Sequence, residues 1–429
     1  MSSVTFPDPQ GPDADARDSS SYPRELLGNA SGSSVPIGSG RGGQANRRWA
    51  RYGFLAFAVI ALAYAPLAIN YMWRYFAHGA VQLQASVTGF FDGHSYAVGY
   101  GSVDWARATA YQSDRWVMLI HTTLGGLCLI LGVLQFMPQV RRRWPRAHRW
   151  TGRLYLAAMS VCMVTAMLFL AHAGSVEFLG GMAFFLQLWA LALGTLVTGW
   201  MAYAMIRRRN VVAHQGFMML SFALLMTAPG LRVLWIGIHP LFRDQALLMN
   251  LGASAIAEAV LAPSLGVAAF ILTRPSRAGG TADNAARPTY VWATLAGLIG
   301  AAAVVLRFYL SISRSVPREM LLMYLVPLGL VTVMVLWLAR RANRAGRHSE
   351  ERRWRILYSG VMANTVVVNL AWLPATLVMS QVNACIASLM VAAAIPIGLS
   401  GIAVIADASP KGLGPLGSKP GVSTAPAGV

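Results

Sequence analysis

Charged residues are scarce in this chain: Asp, Glu, Lys and Arg together make up 12% of its 429 residues. A soluble globular domain carries roughly 25% charged residues. Hydrophobic residues account for 56% of the sequence. The shortage of charge therefore excludes an ordinary soluble protein and favours a chain whose surface lies mostly in lipid.

Cysteine is also rare. Cys128, Cys162 and Cys385 all lie inside long apolar stretches, and no two of them form a CxxC pair. This arrangement excludes a disulfide framework and indicates no zinc site. The sequence also lacks a nucleotide-binding motif, a cluster of metal ligands and a nucleophile arrangement. Chemistry of the kind found in soluble enzymes is therefore unsupported, and the sequence leaves open whether the protein is an enzyme.

The chain does contain ten apolar stretches, each long enough to cross a bilayer. A helix that rises about 1.5 Å per residue needs roughly 20 apolar residues to cross about 30 Å of hydrocarbon. The stretches are continuous rather than alternating, which is typical of helices. The sequence therefore predicts an all-α, polytopic transmembrane bundle. The predicted spans are residues 52–72, 116–138, 154–172, 178–206, 217–239, 245–272, 290–312, 320–339, 356–378 and 383–406.

The net charge of +19 is unevenly distributed. The loops 139–153, 207–216, 273–289 and 340–355 hold 19 Arg against three acidic residues, whereas the other loops between spans hold six of each. By the positive-inside rule, we expect an inner (plasma) membrane protein with both termini and the Arg-rich loops in the cytoplasm. Those loops would contact anionic lipid headgroups, and no nucleic-acid partner is expected.

The composition predicts two polar tails and two membrane regions. The tails are expected to be disordered because they are rich in Gly, Ser and Pro. The loop 73–115 is long and could fold as a small cap. The predicted parts are a tail at 1–46, a membrane domain at 47–272 with a four-helix core at 116–239, a linker at 273–289, a four-span bundle at 290–406 and a tail at 407–429.

Arg232, Glu258 and Arg307 are charged residues inside predicted spans. Each such charge costs about 2.5–3.5 kcal/mol or more, so it usually faces a partner or a wet cavity. Arg232 and Glu258 approach the same short loop with an offset of roughly 9 Å along their helices, which favours a water-mediated contact. We hypothesise a proton or substrate site at Glu258 with Arg232. The alternative is that these charges only orient helices.

Two histidines open predicted spans at the cytoplasmic side: His148 in the third and His214 in the fifth. Because these helices run in the same direction, both imidazoles could face one ligand, either a haem iron or a headgroup-like anion. His121 could join His172 or His239 at an outer site. Alternatively, each histidine only binds backbone, headgroup or water. The sequence leaves the cofactor unknown, and haem b is the candidate that two facing histidines would fit.

The region from His121 to Arg232 resembles a bacterial family of predicted membrane proteins, domain of unknown function 2306. The most specific part is the block HRWTGRLY at residues 148–155, and a second match is HQGFMMLSFAL at residues 214–224. Gln215 stands where the family usually has a basic residue. The resemblance implies fold and topology but little chemistry. A more distant likeness, at fold level, is to the ascorbate-dependent transmembrane b-type cytochromes.

Within the HRWTGRLY block, we expect Arg149, Gly152, Arg153 and Tyr155 to fold over the cytoplasmic end of the four-helix core. Gly152 would permit close approach, and the two arginines would bind carbonyls or phosphates.

Three functions fit these patterns. The first is a redox or electron-transfer protein with haem or quinone near His148 and His214. The second is a proton-linked small-molecule transporter that uses Glu258 and Arg232. The third is a non-catalytic membrane sensor or structural component. The redox function is the preferred interpretation of the sequence.

The predicted orientation can be tested by cysteine labelling. Single cysteines at Ser86 and Ser95 should react with an impermeant maleimide added to intact cells, because both lie in the loop expected outside. A cysteine at Ser349 should react only after the membrane is opened. The opposite labelling pattern would contradict the predicted orientation.

Overall fold

A computed structural model describes residues 41–100, 102–174, 181–241, 247–274 and 287–409. Within these ranges the regular elements are helices and no strand occurs, which confirms the predicted all-α class. Most of the predicted tails and of the linker 273–289 lies outside the described residues.

The described ranges contain sixteen α-helices, several of them short. In chain order they are α1 (Arg41–Asn70), α2 (Leu83–Asp92), α3 (His94–Val98), α4 (Val103–Ser113), α5 (Arg115–Phe136), α6 (Pro138–Arg143), α7 (Pro145–Ala173), α8 (Gly181–Arg207), α9 (Val211–Leu225), α10 (Thr227–Ile238), α11 (Leu247–Leu272), α12 (Arg287–Ser311), α13 (Arg318–Arg344), α14 (His348–Ala375), α15 (Gln381–Ala387) and α16 (Ala394–Ala408).

In the described part, nine helical stretches are long and apolar enough to cross a membrane, and α9 with α10 forms a bent tenth candidate. The bend is 41° and lies at Met226. Pro229, in the first turn of α10, has no backbone N–H and cannot bond to the carbonyl one turn earlier, which explains a break here. The number of predicted spans therefore agrees with the upper count.

Successive spans run in opposite directions, so the bundle has two distinct ends. We call the end that carries residues 73–114 the cap end. The opposite end, where α7, α9 and α14 begin, is called the arginine end.

Small residues allow close helix packing around α5, α7, α8 and α9. Gly132 of α5 lies against the ring of Phe222 on α9, and Gly199 of α8 lies against Met159 of α7. A side chain at either glycine would collide with its neighbour. Close approach through small residues is the usual way in which membrane helices associate, because lipid gives little hydrophobic driving force between them.

Helix α11 lies at the centre of the bundle. The stretch 251–260 is buried throughout, and α11 contacts α9, α10, α13 and α16. A helix that is apolar on every face is expected to be surrounded by protein or lipid. One hydrophobic core accordingly continues from Ala183 to Ile405, across both halves of the chain.

Polar side chains join helices inside the C-terminal half. Asn369 donates from Nδ2 to the carbonyl of Gly300 at 2.8 Å, and Tyr324 donates to Asn364. Arg307 donates to the carbonyl of Asn369 at 3.1 Å. Arg307 therefore stabilises the packing of α12 on α14 through a backbone acceptor rather than through an acidic partner.

The segment between the first two spans folds as three short helices, α2 to α4. Ser102 caps α4 by accepting the Trp105 backbone N–H at 3.1 Å. Tyr111 of α4 is buried and packs edge-on against Tyr71, near the end of α1. The long loop thus covers part of the cap end.

Candidate functional site

A cavity of about 200 Å³ lies within the helices toward the cap end. It is bordered by α1, α4, α5, α7, α8, α10, the last turn of α9 and Leu251 of α11, and most of its lining is apolar. We call it the outer cavity. Its polar lining includes Tyr64, Tyr71, Tyr111, His121, Thr195 and Arg232.

The orientation of His121 is fixed by a backbone hydrogen bond. Its Nδ1 lies 2.9 Å from the carbonyl oxygen of Cys162 on α7. Because a carbonyl oxygen only accepts, Nδ1 must carry the proton in this bond. In a neutral ring Nε2 then has a free lone pair, as in histidines that serve as bases or ligands.

Arg232 brings a positive charge to the same cavity. Its Nη1 donates to the Ala228 carbonyl at 3.0 Å, and its guanidinium lies 5.5 Å from the centre of the Tyr64 ring. Its Nε is buried and has no hydrogen-bond partner among the described residues. The charge of Arg232 also acts on His121. The outer cavity therefore combines one cation with one imidazole.

Glu258 lies on α11 and does not line the outer cavity. It is 9% exposed, and its carboxylate lies against Gly230 of α10. Among the described residues it has no hydrogen-bond or ion-pair partner. Arg232 follows Gly230 by two residues, which places it roughly 200° around the helix. The described structure therefore forms no ion pair between Glu258 and Arg232.

His148 and His214 both lie at the arginine end, in the first turns of α7 and α9. The charges of Arg141 and His214 both act on His148, whose Nδ1 is buried without a hydrogen-bond partner in the described part. Nδ1 of His214 donates to the Ala202 carbonyl at 2.9 Å, which leaves its Nε2 free. This pair could supply two nitrogens to one ligand. The described ranges contain no group of three or more His, Cys, Asp or Glu that could hold a metal ion.

The expected outer pairing of His121 with His172 or His239 is not seen as a contact among the described residues, and Nδ1 of each ring has a different partner. Nδ1 of His172 lies 2.8 Å from Asp114, and Nδ1 of His239 lies 3.2 Å from Asp92. Burial raises the pKa of Asp92, an effect that His239 partly offsets. These two pairs join the cap to the ends of α7 and α10.

Residues of the HRWTGRLY block divide between two faces of α7. Gly152 packs against the Gln135 side chain of α5, and Tyr155 is fully buried. Arg149 and Arg153 are exposed, and Arg153 stacks on the neighbouring Trp150 ring. The expected contact of the arginines with carbonyls is not seen in the described part, and a phosphate contact stays a proposal.

Sequence reasoning missed the tyrosines of the outer cavity. Tyr64 lies on α1, Tyr71 follows the last residue of α1, and Tyr111 comes from the cap. Their helical spacing was a weak signal, and only the folded cap brings Tyr111 to the site. Asp92 and Asp114 were counted as loop charges, and no local pattern predicts their histidine partners.

Residues 118–272 match a family described as predicted membrane protein, DUF2306. The match runs from α5 to α11 and covers the candidate site residues from His121 to Glu258. It confirms the resemblance stated from sequence. No curated protein and no solved structure matches the chain. The likeness to b-type cytochromes therefore gains no support. The chain is a multi-pass membrane protein with many apolar helices.

The contact between Gly230 and Glu258 can be tested by substitution. Gly230→Ala should destabilise the protein by about 1–3 kcal/mol, because the added methyl group would overlap the carboxylate. Gly237→Ala is the matched control on α10, since a methyl group there meets no neighbouring atom. Thermal unfolding in detergent gives the comparison. Adding Glu258→Ala to Gly230→Ala should restore stability, and equal stability of both glycine variants would contradict the contact.

Proposed function

We propose, from the premise that residues 118–272 form a membrane domain of the DUF2306 type, that this protein binds a ring-shaped membrane molecule of the quinone class. The observation that carries the proposal is the outer cavity, which the imidazole of His121 and the guanidinium of Arg232 both line among mostly apolar residues. The site lies toward the cap end, whereas the sequence favoured a redox site near the arginine end.

The size of the outer cavity suits a single substituted ring. A volume of about 200 Å³ exceeds the roughly 150 Å³ of an engineered cavity that accepts benzene. Binding sites for small molecules are typically apolar, with a few polar groups that fix orientation. A quinone headgroup has this character, because its ring is apolar and its oxygens lie at opposite ends.

The two polar groups complement the two oxygens of a quinol. One hydroxyl would donate to Nε2 of His121, which is left as an acceptor by the bond from Nδ1 to Cys162. The other oxygen would accept from Arg232, whose Nε has no partner in the described part. His121 is placed to take the proton of that hydroxyl.

We propose that the protein lies in the inner (plasma) membrane with both termini in the cytoplasm, as the distribution of arginine favours. The arginine end then faces the cytoplasm, and the outer cavity lies in the outer half of the bilayer. Arg149 and Arg153, which are exposed beside Trp150, would contact anionic lipid headgroups.

Binding can be measured with a short-chain quinone added to the protein in phosphatidylcholine nanodiscs, with quenching of tryptophan fluorescence as the signal. His121→Leu and Arg232→Gln should each weaken binding about tenfold or more, because each removes a buried hydrogen bond. His78→Gln, at an exposed position of the cap, should bind as the unmodified protein does. The proposal would be contradicted if quenching did not saturate as quinone is added. Equal affinity in all four proteins would also contradict it.

A second candidate function, proton-linked transport, rests on Glu258. This carboxyl group is buried in a membrane span and has no described partner, an arrangement that is typical of residues that take up protons. It also touches α10 just beyond the bend at Met226, where the helix pair could move.

Proton-linked transport predicts a specific defect in reconstituted vesicles. Glu258→Gln should keep the fold, since it preserves shape and can hydrogen-bond, but should abolish any dye-detected proton movement driven by a substrate gradient. Thr332→Val, which replaces another partly buried polar side chain on α13, serves as a folding control. Proton movement by Glu258→Gln at the level of the unmodified protein would rule out this function.

A further inference from the structure

Arg307 places a positive charge inside a membrane-spanning helix, about one turn before α12 ends at Ser311. Its Nη1 donates to the carbonyl oxygen of Asn369 on α14 at 3.1 Å, and its guanidinium lies 5.5 Å from the centre of the Trp372 ring. We infer that these three residues bind the headgroup of an anionic phospholipid in the leaflet at the cap end. None of the three lines the outer cavity, and all lie outside the residues that match the family.

The charge of Arg307 has no acidic counterpart in the described part of the chain. Its one hydrogen bond among these residues goes to a backbone carbonyl, and no described carboxylate lies within ion-pair distance. At the same end of the bundle, Glu319 already pairs with the neighbouring Arg318 at 3.7 Å. An unpaired charge inside a membrane span is costly, so this guanidinium favours an anion from outside the chain.

The guanidinium of Arg307 can be reached from the lipid. The residue is partly exposed, and the nitrogens that have no partner among the described residues are not buried. Four exposed leucines lie beside it on the two helices: Leu306 and Leu310 of α12, and Leu370 and Leu373 of α14. The acyl chains of a phospholipid could therefore lie on these apolar surfaces while its headgroup binds the guanidinium.

Two buried polar atoms beside Arg307 also lack partners in the described structure, Oδ1 of Asn369 and Nε1 of Trp372. The amide of Asn369 has a defined orientation, because its Nδ2 donates to the carbonyls of Gly300 and Thr365, each at 2.8 Å. Oδ1 is therefore a free acceptor, and the Trp372 ring keeps a free donor. Buried polar atoms without partners are rare in proteins, and a ligand that carries both a donor and an acceptor would satisfy these two.

A headgroup with a phosphate and a hydroxyl group fits this set of atoms. Guanidinium groups bind phosphate oxygens through paired, charge-assisted hydrogen bonds. A phosphate oxygen could also accept from the Trp372 ring, and a hydroxyl could donate to Oδ1 of Asn369. Phosphatidylglycerol has both groups and a net negative charge, whereas phosphatidylcholine has no net charge and no hydroxyl in its headgroup. The occupant is therefore an anionic phospholipid of the phosphatidylglycerol type.

The number of phospholipids that the full chain retains tests this inference. The protein in detergent is titrated with dioleoyl-phosphatidylglycerol, and bound lipids are counted by native mass spectrometry. Arg307→Gln should bind one lipid fewer at the concentration that saturates the unmodified protein. It should need about tenfold more lipid to recover that one, because it loses the charge that holds the phosphate. Arg314→Gln, which removes an exposed arginine at the same end, is the matched control and should bind normally.

A second variant guards against a folding defect. Trp372→Phe keeps an aromatic ring in the core but removes its N–H, so it should fold and weaken retention severalfold. Dioleoyl-phosphatidylcholine, with the same acyl chains, and oleate, which offers a carboxylate, are the competing probes. The inference is overturned if the folded site variants retain as much phosphatidylglycerol as Arg314→Gln does. It is also overturned if phosphatidylcholine or oleate fills the Arg307-dependent site in place of phosphatidylglycerol.

Discussion

The hydrocarbon interior of the bilayer offers no hydrogen bonds to the protein, and the rest of this structure depends on that constraint. Backbone groups in lipid must bond within their own segment, which leaves helices as the solution for continuous apolar stretches. The same constraint makes each polar side chain inside the bundle informative. Arg307 donates a hydrogen bond to a backbone carbonyl. By contrast, Nε2 of His121 is free, Nε of Arg232 has no partner in the described part, and Glu258 has no described partner.

The outer cavity follows from how the helices pack. Small residues hold α5, α7, α8 and α9 close in the half of the bundle toward the arginine end, as at Gly132 and Gly199. Toward the cap end the packing changes, because the chain bends at Met226 and α10 leaves the line of α9. Arg232 lies on this redirected helix and reaches the same space as His121. Breaks in membrane helices are tolerated where they border a cavity or other protein, and this bend borders both.

The sequence predicted the fold well because its main signal is length. A run of apolar residues long enough to span lipid specifies a helix without reference to the rest of the chain. Contacts between helices depend on which faces meet, and no local pattern encodes that. Near Glu258, spacing along the chain suggested Arg232 as a partner, but the position of Gly230 on α10 turns the two side chains apart. The pairing of His148 with His214 rested on helix direction and equal depth, and it stays a prediction. The tyrosines of the cavity could not be predicted from the sequence, because Tyr111 comes from the cap, a different part of the chain.

The central claim is that the space between His121 and Arg232 holds a ring-shaped molecule from the membrane. The most direct measurement is to extract protein purified from its native membrane with organic solvent and to identify the released molecules by mass spectrometry. The account predicts a quinone in near-stoichiometric amount with the unmodified protein and a strong depletion from the His121→Leu variant. Equal amounts of quinone from both proteins, or none from either, would contradict it.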